Sequence, residues 1–236
     1  MRVVVRSVVE LCVTVGVLAA LFVVHALFWS GVRAAEAMQD QRDSLRDRWS
    51  RESEARSRGG ESGVSTADGR GEARRSQVTP APDTPFGIMH IPRLGFTWNM
   101  PVLEGTTPEI LEKGLGHYVG TALPGRMGNF AVAGHRRTHG SPFRDFPELR
   151  PGDDVVLTDG TTWFTYRIDK GPYRTVPTDT EVVGPLPRAS GYLRPGRYLT
   201  LTTCEPEWGH SHRLVVWASL RSSQPVEAGK PESLRR

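Results

Sequence analysis

Residues 11–29 form an apolar run that only Thr14 and His25 interrupt with clearly polar side chains. Valines at positions 3–5 and 8–9 extend it towards the N-terminus. About 20 residues at 1.5 Å each give roughly 30 Å, the thickness of one bilayer core. The apolar region of a secretory signal is shorter, about 7–15 residues. Ala35-Glu36-Ala37 has the small residues of a cleavage site, but the run before it is too long for a typical signal. Residues 1–33 therefore read as an uncleaved, single-pass membrane anchor. Arg2 and Arg6 precede the span, and Arg33, Arg42, Arg46 and Arg48 follow it. A strict count of basic residues leaves the C-terminal side in the cytoplasm, but long domains translocate largely regardless of flanking charge. The chemistry set out below places that side outside the cell.

Residues 34–84 are charged and small, too poor in apolar side chains to form a core. The first of them, to about Arg51, can continue the membrane helix outward. The rest is expected to be a flexible extracellular linker. Fifty such residues span roughly 40 Å as a random coil. The formal net charge of +4 comes from 30 basic and 26 acidic residues. No aromatic-basic stripe accompanies it, so a nucleic-acid partner is not expected.

At about Pro85 the pattern changes to short β-type runs between turn signals. Strands are expected at 86–92, 96–102, 129–135, 155–157, 163–168, 197–204 and 213–220. Asp159-Gly160 marks a hairpin, and Phe164, Tyr166 and Ile168 give the strand after it one apolar face. Thr107-Pro108 and Gly114 bracket a short helix, and Ser141-Pro142 opens another helical turn. A proline-rich connection fills 172–195. Residues 85–221 thus read as one all-β barrel or sandwich large enough for a core. Residues 222–236 are expected to be a disordered tail.

Two cysteines are present. Cys12 lies in the apolar run, so an exported Cys204 has no intramolecular disulfide partner. Lone thiols in an oxidising space tend to be oxidised or scrambled, and one that is kept there is a candidate nucleophile. The alternative is a buried strand cysteine acting as a small hydrophobe. A hairpin between the last two strands brings Arg213 beside Cys204. A cysteine nucleophile also needs an acid for the leaving amine. His90, His117, His135, His139, His210 and His212 are the candidates. His135 follows an apolar strand and a glycine, where a side chain is rigidly held. Cys204, Glu205, His210 and His212 match no zinc-ligand spacing, so neither a metal nor a cofactor is expected.

Thr200-Leu201-Thr202-Thr203-Cys204 with Arg213 nine residues on resembles the sortase signature. Asn129-Phe130-Ala131-Val132-Ala133-Gly134-His135-Arg136 resembles that family's strand ending in glycine-histidine, and Pro151-Gly152-Asp153 also matches. The paired threonines before the cysteine and the long N-terminal segment look most like class E sortases of high-GC Gram-positive bacteria. The resemblance implies a closed eight-stranded β-barrel with short helices, outside the cell. It implies cleavage of a C-terminal Leu-Ala-x-Thr-Gly or Leu-Pro-x-Thr-Gly sorting motif between threonine and glycine. The acyl group would pass to a peptidoglycan precursor amine, anchoring surface proteins that carry the signal. Cys204 would be the nucleophile, His135 the acid and base, and Arg213 the holder of substrate and oxyanion. Tyr118, Thr202 and Thr203 would contact substrate. Glu205 departs from the pattern, because a carboxylate beside the thiol disfavours the thiolate. A cysteine hydrolase of the same geometry and a tethered, non-catalytic binding module stay open. So do anchoring and pilus assembly, although no lid segment is evident, which favours anchoring.

Overall fold

In the computed structural model, which describes residues 2–59 and 79–235, the chain opens with one continuous helix, α1 (Arg2–Gly59). Its segment Val4–Val23 is long and apolar enough to cross a bilayer, and none of its described residues is buried. Eight strands follow: β1 (Pro85–His90), β2 (Asn99–Glu104), β3 (Leu115–His117), β4 (Gly128–Ala133), β5 (Asp154–Thr158), β6 (Thr162–Thr175), β7 (Arg197–Glu205) and β8 (His212–Pro225). They close a barrel in the order β1-β2-β3-β4-β7-β8-β6-β5. A short helix, α2 (Pro108–Leu111), joins β2 to β3.

The expected all-β barrel with a leading helix is what forms, and its interior follows from side-chain alternation. Leu214, Val216 and Ala218 of β8 point into the main core with Phe130, Val132 and Leu201. Val215 and Trp217 point outward, yet they are buried as well. The segment between β6 and β7 wraps that outer face and places Val182 on them. Trp217 Nε1 donates to Val182 O at 3.0 Å. Burying one such side chain is worth about 1.5–3 kcal/mol, so the wrap adds to the stability of the barrel wall. At the Asp159-Gly160 turn, Asp159 Oδ1 accepts from the amides of Thr161 and Thr162 at 2.9 and 2.8 Å.

Three sequence expectations need correction, and one strand was missed. The linker does not begin at residue 34, because α1 continues to Gly59 and docks on the barrel. Ala34, Met38 and Leu45 are buried, and they share one face of the helix by their spacing. Arg42 Nη1 donates to Asn99 O at 2.9 Å, and Arg48 Nη2 donates to Pro85 O at 2.7 Å. These contacts supply the apolar burial that sparse composition seemed to rule out; residues 60–78 lie outside the described residues. The tail is not disordered either. Residues 222–225 complete β8 by pairing with Thr162–Thr165 of β6, and 3-10 turns at Val226–Ala228 and Glu232–Leu234 follow. Strand pairing supplies there what hydrophobic pattern lacks. β6 runs through Pro172 to Thr175, accommodating the proline where the register with β8 shifts between Lys170 and Tyr173. Finally, β3 has three residues, too few for any alternation to show.

Candidate active site

Strands β4 and β7 run parallel, with Ala133 opposite Thr202. The two chains therefore leave the sheet side by side at the same end of the barrel. Gly134 N donates to Thr202 O at 3.1 Å, and Thr203 Oγ1 donates to Gly134 O at 2.8 Å. A Cβ at position 134 would come within 2.6 Å of the Phe143 ring and 2.7 Å of Leu115. Only glycine allows this approach, so the residue before His135 is fixed by packing. His135 follows on one chain and Cys204 on the other.

The antiparallel β7–β8 ladder adds the third group. Cys204 and Arg213 are direct cross-strand partners, an arrangement that sets their Cβ atoms about 4.5–5.5 Å apart on one face. Arg213 Nη1 donates to His210 O at 3.1 Å and His212 O at 3.0 Å. The guanidinium thus braces the connection from β7 to β8. His135, Arg137, Thr138, Cys204, Trp208 and His210 line one cleft of about 300 Å³. A larger open hollow of about 560 Å³, beside Met127, Tyr198 and Arg221, contains none of these groups.

Burial lowers the His135 pKa, and the charge of His139 lowers it further; Glu112 opposes both. The imidazole is therefore neutral near pH 7. The rings of His135 and His139 lie 5.0 Å apart. Glu205 does not stand as a bare carboxylate beside the thiol, because it pairs with Arg136. Arg137 Nη1 meets Glu207 Oε1 at 2.7 Å, and its guanidinium lies 3.6 Å from the Trp208 ring centroid. Two ion pairs thus join the segment after His135 to the segment after Cys204. The sequence carries the signal for this: consecutive arginines at 136 and 137 face alternate glutamates at 205 and 207.

Tyr118 OH lies 3.0 Å from Thr202 Oγ1. Thr202 and Thr203 are both 3% exposed, and the Thr203 hydroxyl is spent on backbone. Of the other histidines, His117 is buried against Glu104 with Nδ1–Oε2 at 2.6 Å. His212 Nδ1 faces Arg174 Nη2 at 3.1 Å. Among the described residues no group of histidine, cysteine and carboxylate side chains is arranged to hold a metal ion.

Residues 89–221 match the model of the Sortase domain family. The chain belongs to the sortase family. It is 35% identical to Sortase SrtE1 of Streptomyces coelicolor, an alignment covering 97% of this chain and 60% of that relative. The chain thus spans less than two thirds of that protein's length. It is 34% identical to Sortase SrtE2 of the same organism, over 96% of this chain and 86% of the relative. Among solved structures, sortase E from Streptomyces avermitilis is 72% identical with a TM-score of 0.63, covering 66% of this chain and 99% of that one. Sortase E1 from S. coelicolor, with a tripeptide in its active site, is 38% identical with a TM-score of 0.62, covering 66% and 100%. Sortases are cysteine transpeptidases, and the cleft described above lies inside the matched region.

Proposed function

We propose that this sortase is a membrane-anchored cysteine transpeptidase with its barrel outside the cell. It cuts a C-terminal Leu-Ala-x-Thr-Gly or Leu-Pro-x-Thr-Gly sorting motif between threonine and glycine. It then transfers the acyl group to a cell-wall amine, anchoring a surface protein. One observation carries the reading: parallel β4–β7 brings His135 and Cys204 to one cleft, and the β7–β8 register sets Arg213 directly across from Cys204.

The chemistry follows from these three groups. Neutral His135 takes the Cys204 proton as the sulfur attacks the threonine carbonyl. Negative charge develops on the carbonyl oxygen, and the permanently charged Arg213 donates to it. The carbon–nitrogen bond breaks, and the imidazolium returns its proton to the glycine amine. A thioester on Cys204 remains. An incoming amine attacks it and gives its proton to His135. The thiolate leaves, and the new peptide bond is complete. Tyr118 is the proposed contact to the second motif position; Thr202 and Thr203, expected from the resemblance to contact substrate, are buried in β7 just before Cys204.

Mass spectrometry of the purified chain with a Leu-Ala-Glu-Thr-Gly peptide, with and without triglycine, tests this. The expected result is a thioacyl adduct on Cys204 that moves to triglycine. An adduct released only to water would make the protein a hydrolase. No adduct with this peptide or its Leu-Pro counterpart would overturn the reading.

A further inference from the structure

We propose that the part of α1 next to the membrane is a positioning element of the active site, with Met38 and Ala34 bracing the loop that follows His135. The proposal rests on the assignment of His135 and Cys204 given above.

The loop itself gives the reason a brace is needed. Thr138, His139, Gly140 and Ser141 have φ values of 70°, 43°, 74° and 50°. Four consecutive residues in the left-handed region, three of them not glycine, form a disfavoured conformation. Such a backbone persists only where its surroundings over-determine it. Its backbone bonds are Ser141 N to Thr138 O at 2.7 Å, Phe143 N to His135 O at 3.0 Å and Arg144 N to Ser141 O at 3.1 Å, with the Ser141 and Thr138 hydroxyls bonded to carbonyls within the turn.

The outer side of the turn is met by α1. Met38 Cε stands 2.5 Å from where a Cβ on Gly140 would lie, and Ala34 Cβ stands 3.9 Å from it. Both helix residues are 4% exposed, so this contact excludes water. The turn then reaches the catalytic side chain through His139. Its ring packs 5.0 Å from His135, and its Nε2 lies 3.6 Å from Glu112 Oε1. Displacing the turn moves His139, and with it the wall that desolvates His135.

The helix is also fixed at points remote from this loop. Arg42 is bonded to Asn99 and Arg48 to Pro85, while Leu45 is fully buried between them. Ala34 follows the apolar run that ends at Trp29 by five residues, or ~7.5 Å of helix. The docked helix therefore holds the cleft at a set height above the membrane surface.

The test uses the full chain in nanodiscs, comparing the parent with Met38→Asp and Met38→Leu. Three quantities are read: kcat and KM with the Leu-Ala-Glu-Thr-Gly peptide and triglycine, amide hydrogen exchange at 138–141, and the NMR titration of His135. Met38→Asp should lower kcat at least tenfold with KM within twofold. It should speed exchange at 138–141 tenfold without speeding it in β7, and it should raise the His135 titration midpoint. Met38→Leu should restore all three. A kcat within twofold of the parent, a loss carried by KM alone, or faster exchange across the whole barrel would each overturn the proposal. If the parent turns over neither peptide, the functional reading fails by itself. The brace is then decided by exchange and by the His135 titration, and no change in either sinks it.

Discussion

Cys204 sits in a ladder position that fixes its neighbours before any substrate arrives. Arg213 is opposite it on β8, so the charge proposed to meet the oxyanion is placed by strand register rather than by a mobile loop. Cys204→Ala should abolish thioacyl formation. Arg213→Ala should slow it about 100-fold or more, the usual scale for losing one oxyanion donor; single-turnover mass spectrometry measures both, and a near-parental rate for Arg213→Ala would remove its assigned role. Arg136 acts on the same thiol indirectly, by pairing with Glu205. Removing it leaves a carboxylate next to the sulfur, which disfavours the reactive thiolate. Iodoacetamide labelling of Cys204 at pH 7 should slow about tenfold in Arg136→Ala. Adding Glu205→Gln should recover it; failure to recover would mean that Arg136 acts through packing instead.

The elements that place the site are short strands tied by buried polar groups. His117 on β3 and Glu104 on β2 meet at 2.6 Å, each almost fully buried. All three residues of β3 are buried and it pairs with β2 and β4, and this side-chain pair adds a further tie to β2. Replacing His117 with leucine strands a buried carboxylate and should cost about 3–5 kcal/mol. The double change His117→Leu with Glu104→Leu should return most of that loss, since an apolar pair needs no compensation. Thermal unfolding of the detergent-solubilised chain reports both. Equal losses in the single and double variants would show that side-chain shape, not charge, is what matters there.

On the scale of the molecule, α1 and the C-terminal turns converge on β1. His90 lies beneath them, with its pKa lowered to about 4 by burial first, then by Lys230 and Arg46. The unfolded chain takes up this proton near pH 6.5, while the folded one refuses it until about pH 4. Stability contributed by neutral His90 is therefore complete above pH 6.5, falls as pH drops through that window, and levels off below it. Each pKa unit is worth about 1.4 kcal/mol, so the fall reaches about 3 kcal/mol at most. His135, shifted in the same direction, adds to the slope. Melting temperature measured between pH 7 and pH 4 should drop, and His90→Gln should flatten most of that drop. A parental slope in His90→Gln would place the acid sensitivity elsewhere.

Much of this was legible in local pattern. The apolar run at the N-terminus, the Asp159-Gly160 turn and the alternation in β8 are properties of adjacent residues, and each specifies its own element. The thiol, the glycine-histidine strand end and the arginine nine residues after the cysteine were likewise readable, because each occupies a fixed place on a strand. Contacts between distant segments were not. The docking of α1, the pairing of 222–225 with β6 and the wrap that buries Trp217 have weak local signals. Their partners lie 35 residues or more away along the chain, and each apolar side chain covered contributes ~1.5–3 kcal/mol. The sequence by itself determined which residues are proposed to carry the chemistry. Only the closed barrel decided what surrounds them: Arg136 on Glu205, His139 beside His135, and Met38 against the turn that carries it.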